Sequence, residues 1–88
     1  MERGRYSIVF ARSASKEVES LERTLVARVI SRIMALSENP RPSGCKKLAG
    51  AVDAWRIRIG DYRVIYRVDD TASLVTVMVV RHRSRAYE

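Results

Sequence analysis

Between Trp55 and Tyr66 the chain alternates apolar residues with arginine on either side of a Gly60-Asp61 pair. Alternation of this period is that of a β-strand half exposed to water, and a two-residue Gly-Asp connection closes a hairpin. The turn fixes the register. Ile59 then faces Tyr62, Arg58 faces Arg63, Ile57 faces Val64 and Arg56 faces Ile65, leaving one dry face and one cationic face. Upstream, Tyr6 to Ala11 is β-branched and aromatic and predicts a first strand with Tyr6, Ile8 and Phe10 on one side. Ser13 or Ser15 is the expected cap of a helix whose opening turn carries Glu17 and Glu19, with Val18, Leu21 and Leu25 as its apolar side. Thr24 is the expected cap of a second helix, in which Val26, Val29, Ile30, Ile33 and Met34 follow helical spacing up to Asn39-Pro40.

After a loop at residues 39–45, Lys46 to Val52 reads as a basic connector anchored by Leu48. Strands are expected at Ala54–Ile59, Tyr62–Asp69 and Leu74–Val80, with Asp70 to Ser73 as the second turn. Trp55, Tyr62 and Tyr66 share a face with Ile57 and Ile59 and belong to the core. The last strand is apolar at both parities, which predicts a central strand covered on both faces. The expectation is one α+β domain over residues 1–88, of order β-α-α-β-β-β, with a helical hairpin on one face of a small, mostly antiparallel sheet.

Charge changes the picture. The formal net charge is +7 and the pI near 10.3. Residues 41–88 hold ten basic against five acidic side chains, whereas residues 1–40 hold seven against five. Like charges opposed across a sheet repel, so Arg58 facing Arg63 points to an anion between them, set against a solvated face whose arginines serve solubility. Arginine's planar fork suits phosphate, and nucleic acid is the leading partner class, ahead of an acidic protein. The lone Cys45 forms no internal disulfide, has no His near it in sequence to make it a nucleophile, and has no companions for a zinc site. No apolar run reaches the roughly 20 residues of a membrane span, and MERGRYSIVF lacks the apolar core of a secretory signal. A cytoplasmic protein is expected.

Three segments resemble the RelE/ParE superfamily of toxin–antitoxin toxins: KLAG at Lys47–Gly50, WRIRIGDYRVIYRVDD at Trp55–Asp70 and HRSRAY at His82–Tyr87. The element order extends the resemblance over nearly the whole chain. It implies a small cytoplasmic toxin held in check by a cognate RelB-like antitoxin. RelE-type members enter the ribosome, contact 16S rRNA and cut A-site mRNA without metal or cofactor. ParE-type members share the fold and inhibit DNA gyrase. A non-catalytic nucleic-acid-binding role within a toxin–antitoxin repressor complex is a third alternative. The RelE branch is favoured by Arg63 after the turn, by the basic residues Arg56 and Arg58 before it, and by the terminal Tyr87.

Cleavage by the ribose 2′-oxygen needs charge stabilisation at phosphorus, a proton acceptor and a proton donor. Arg58 and Arg63 supply the first. Arg81 matches a family position implicated in protonating the leaving group, and as an arginine serves better as a charge stabiliser. The resemblance puts lysines, with general-base character, at the positions of Arg56 and Arg58; arginine holds a phosphate but stays protonated. That leaves His82, the one histidine, as the expected base, or no side chain at all. Tyr87 either stacks on an unstacked base, orients the 2′-hydroxyl or packs back on the sheet. Lys46, Lys47, Arg56, Arg83 and Arg85 are the expected RNA- and ribosome-binding residues.

Overall fold

A computed structural model describes residues 5–85, with the side chain of Arg85 outside that description. Strand β1 is Ser7–Phe10, followed by helices α1, Arg12–Glu19, and α2, Arg23–Met34, and a 3-10 turn at Ala35–Ser37. Four strands complete the sheet: β2 (Lys46–Lys47), β3 (Ala54–Ile59), β4 (Tyr62–Asp69) and β5 (Leu74–His82), the last running into a 3-10 turn at Arg83–Arg85. The spatial order is β1-β5-β4-β3-β2, with β1 parallel to β5 and every other pair antiparallel. This is the expected α+β architecture with one strand added.

The hairpin register is the one the alternation predicts, from Ile59↔Tyr62 to Arg56↔Ile65. Gly60 occupies the first central turn position at φ +60°, where a glycine meets no steric penalty. A Cβ there would also lie 3.3 Å from Nη1 of Arg28, so α2 reaches over the hairpin tip.

Both helices cover one face. Ala14, Val29, Ile33 and Leu36 pack on Ile57, Ile59, Val64, Tyr66, Val68, Val75, Val77 and Val80, all buried. Trp55 and Tyr62 are half-buried at the margin of this core. The side chains pointing the other way from β3, β4 and β5 have no helix over them.

Four local expectations need correction. The helix caps are Ala11 and Glu22, and neither makes a side-chain cap hydrogen bond. Ser13 instead donates its hydroxyl to the Met78 carbonyl (3.1 Å), a contact to β5, and Thr24 lies inside α2. Met34 is 47% exposed, because the chain tightens into the 3-10 turn and Leu36 fills the next buried position. The basic connector contains β2, whose two exposed lysines pair with Trp55 and Arg56, and Leu48 N–H carries the ladder on to the Ala54 carbonyl (3.0 Å).

The fourth correction concerns β5. Its pairing with β4 slips between Ile65↔Val79 and Tyr66↔Val77, leaving Met78 as an extra residue. Such a bulge switches the parity of the strand. The buried positions are accordingly Val75 and Val77 before it and Val80 after it. Apolar residues at both parities therefore record a bulge more than burial on two faces.

Candidate functional site

The pairing of three strands places arginines in one row: Arg58 on β3 opposes Arg63 on β4, which opposes Arg81 on β5. Cross-strand partners share a face, and the neighbouring row, Ile57, Val64 and Val80, is buried under the helices. The arginine row thus points to the helix-free side. Arg58 is exposed, and Arg63 and Arg81 are half-buried. Like charges opposed across a sheet repel, and an anion laid across them relieves the repulsion.

Arg81 is held from behind. Glu17 of α1 accepts the Val80 N–H on one carboxylate oxygen (2.9 Å) and the Arg81 Nε–H on the other (3.0 Å). β1 stops opposite Val77, so the rest of β5 has no strand on that side, and α1 caps the open edge. The sequence placed Glu17 in the opening turn of a helix, whereas it lies near the end of α1, where it takes this role. The partners are 64 residues apart, and no local pattern joins them.

A cavity of about 220 Å³ lies at the hairpin tip, lined by Arg58, Gly60, Asp61, Tyr62, Arg63 and Arg83. The Arg83 N–H donates to the Asp61 carbonyl (2.7 Å), which fixes the start of the terminal turn against the hairpin. Its side chain makes only a long 3.9 Å approach to the Asp61 carboxylate, with both groups largely exposed. The other expected cations divide. Arg56 and Lys46 are cross-strand partners on the arginine side. Lys47 instead donates to the Val52 carbonyl (3.0 Å) and lies 5.9 Å from the Trp55 ring centre, away from the row. Tyr87 and the side chain of Arg85 lie outside the described residues.

His82 is not with the arginines. It pairs with Tyr62 across β4 and β5, and the two rings meet edge-on at 5.3 Å on the helix side. Its Nδ1 accepts the Ser84 N–H (3.1 Å) and touches the Ser84 hydroxyl (2.9 Å). Nδ1 is thus engaged locally with Ser84, away from the arginine row. His82 and the arginine row therefore lie on opposite faces of the sheet. Among the described residues, no three of His, Cys, Asp and Glu gather as a metal ion requires.

Residues 8–87 match the family described as the ParE toxin of the type II toxin–antitoxin system, parDE. Toxin RelG of Mycobacterium tuberculosis is 31% identical over 86 residues, spanning 93% of this chain and 95% of that protein. Among solved structures, the archaeal RelE–RelB complex from Pyrococcus horikoshii superposes with a TM-score of 0.81 at 29% identity, over 93% of this chain and 99% of the matched one. The isolated E. coli RelE toxin gives 0.80 at 29% identity, over 92% and 87%. The chain belongs to the RelE/ParE family of type II toxin–antitoxin toxins.

Proposed function

We propose that this toxin is a metal-independent endoribonuclease that cuts mRNA in the ribosomal A site. The observation that carries the reading is the in-register row Arg58–Arg63–Arg81 on the helix-free face. In the reaction, the ribose 2′-oxygen bonds to the adjacent phosphorus and the bond from phosphorus to the 5′-oxygen breaks. The products are a 2′,3′-cyclic phosphate and a 5′-hydroxyl. One proton leaves the 2′-hydroxyl and one joins the leaving oxygen. Charge grows on the non-bridging oxygens meanwhile, and fixed guanidinium donors on a rigid sheet stabilise it without reorganising.

Arg63, in the middle of the row, is assigned to those oxygens, with Arg58 beside it and Arg81 nearest the leaving group. Tyr87 is assigned to stacking on a base of the splayed mRNA. No described side chain is placed to accept the 2′ proton, so it passes to water or to the ribosome-bound RNA itself. That division of labour favours ribosome dependence: one small domain holds the phosphate, while in-line geometry, worth several kcal/mol of barrier, comes from the ribosome. A RelB-like antitoxin with an acidic segment is the partner that the uncovered charge calls for.

Primer extension on an mRNA from cells expressing the chain tests this reading. Discrete cuts within translated codons are expected, and purified toxin is expected to cut programmed ribosomes far faster than naked RNA. The family description also names ParE, and the gyrase reading predicts the reverse: intact mRNA, with DNA supercoiling by gyrase blocked.

A further inference from the structure

We infer that a second phosphate site lies beside the arginine row, at the open edge of β3 beneath α2, and that Arg32 is part of it. This rests on the reading above in one respect, that the ligand of the cationic face is RNA. A cavity of about 480 Å³ is lined there by Arg32, Ser43, Gly44, Lys46, Arg56, Ile57 and Arg58. Four of the seven are cations and none is a carboxylate.

Four arginines elsewhere have carboxylate partners: Arg5 with Glu38, Arg41 with Asp70, Arg67 with Asp53 and Arg81 with Glu17. Among the described residues, no carboxylate pairs with Arg32, Lys46, Arg56 or Arg58. Furthermore, the Arg56 Nε is buried and has no hydrogen-bond partner among those residues. A donor left in that state costs free energy unless a ligand completes it.

The backbone adds to the site. β2 pairs only with Trp55 and Arg56, so β3 has no neighbour beyond them. The Ala54 carbonyl is used on this edge by Leu48, and in an antiparallel strand alternate residues face the same edge. Arg58 therefore turns its own N–H toward the cavity. Arg58 borders both this cavity and the one at the hairpin tip. One guanidinium between two anion sites is the arrangement that consecutive phosphates of a single strand require. The RNA thus runs from the arginine row over the edge of β3 toward α2, and the site takes a phosphate next to the one attacked.

The test uses binding, so that it stays separate from cleavage. A labelled single-stranded oligonucleotide with 2′-O-methyl ribose throughout, which cannot be cut, is titrated with full-length wild-type toxin and with Arg32→Gln at several salt concentrations. Arg32 is exposed on α2, and Arg32→Lys serves as the charge-retaining control. Arg32→Gln is expected to weaken binding roughly three- to tenfold whatever the base sequence, and to flatten the salt slope by about 0.7, the value for one phosphate contact to a single strand. Arg32→Lys restores the slope. One methylphosphonate walked along the oligonucleotide is expected to weaken wild type at a position where it leaves Arg32→Gln unaffected.

An unchanged slope in Arg32→Gln overturns the inference, as does a substitution that weakens an oligoglutamate peptide while sparing the oligonucleotide, which makes the cavity a surface for an acidic polypeptide. Cuts in cellular mRNA with an unaltered slope sink the second site alone. A flattened slope with no cuts anywhere sinks the nuclease and leaves the site standing.

Discussion

The two ends of this sheet use the same residue type in opposite ways. At the end beside the Asp70–Ser73 turn, arginines are paired. The Tyr6 hydroxyl donates to Asp70 Oδ1 (2.6 Å), Arg41 grips both oxygens of the same carboxylate (3.2 and 2.8 Å), and Arg67 reaches Asp53 (3.1 Å). Arg41 also lies 5.2 Å from the Trp55 ring centre, and the buried Tyr66 donates its hydroxyl to the Pro40 carbonyl (2.7 Å). At the hairpin end, Arg58, Arg63 and Arg81 oppose one another across the strands, and Glu17 holds Arg81 at the open edge of β5. Charge with a partner of its own fastens loops to the sheet. Like charges set opposite one another repel, and the proposed RNA ligand would relieve that repulsion.

That contrast breaks most visibly in a pair of substitutions. Arg63→Ala is expected to lower single-turnover cleavage in programmed ribosomes by about 10²–10³-fold, the loss typical of one transition-state donor. Its melting temperature should hold or rise, since removing the central arginine relieves repulsion from both sides. Arg41→Ala should do the reverse, with a lower melting temperature and unaltered cleavage per folded molecule. Full toxicity in a folded Arg63→Ala variant, or a cleavage defect in Arg41→Ala, erases the distinction between the two ends.

Glu17 sharpens it, as the acid that orients a ligand-facing arginine from behind. Glu17→Gln retains an acceptor for the Val80 N–H but offers an amide N–H₂ where Arg81 Nε–H needs a second oxygen. The cleavage rate constant is expected to fall about tenfold through misplacement of the guanidinium, with little change in the half-saturating ribosome concentration. In the double variant with Arg81→Ala, Glu17→Gln should have no further effect, which separates positioning from a general loss of structure.

The sequence revealed the hairpin and not its surroundings, for physical reasons. A two-residue turn and strict alternation leave only one register, so the Arg58–Arg63 opposition was legible before any coordinates. The core was legible for the same reason: period 2 on β3 and β4, period 3.6 on α2. β2 was not, because pairing of Lys46 and Lys47 is a backbone event without a side-chain signature. The bulge at Met78 was hidden because β5 is apolar on both sides of the slip, and any of several residues fits as the extra one. Glu17 and Arg32 were invisible as site residues because only the packing of α1 and α2 brings them to the sheet. The face that His82 occupies was not legible either. It sits among arginines in sequence, but β5 runs on to His82 itself, and in a strand, adjacent residues face opposite ways.

Smaller effects belong to the paired end. Tyr66→Phe removes a buried hydroxyl and orphans the Pro40 carbonyl, for an expected loss of about 1–2 kcal/mol of stability with no catalytic change. Asp70 gives a pH signature. The hydrogen bond from Arg41, and after it the one from Tyr6, holds the Asp70 carboxyl below its ordinary value of 3.8. A carboxyl depressed in the folded state stabilises the protein above the unfolded-chain value, and that contribution is lost as the pH falls through the folded-state value. The gap in melting temperature between wild type and Asp70→Asn should therefore be constant at neutral pH and close only below pH 3.8. A gap that closes near neutrality assigns the stabilisation to some other group.

The smallest effect is expected at the residue whose chemistry looked most suggestive. His82 lies one position beyond Arg81 and faces the helices, edge-on to Tyr62, with Nδ1 committed to Ser84. To act as a base at the arginine row it would have to break that contact, turn through the strand and deliver Nδ1 to the other face. Glutamine can accept the Ser84 N–H from a similar position, so His82→Gln should fold normally and lose only part of the ring contact. Its cleavage rate is expected to stay within about threefold of wild type, where loss of a general base gives about 10²–10⁴. The rate should also show no histidine-like inflection between about pH 5 and 8 that the substitution abolishes. A loss of a hundredfold or more in a folded His82→Gln protein would mean that the tail rearranges on the ribosome and brings the imidazole across, and the two faces of the hairpin end would no longer be chemically separate.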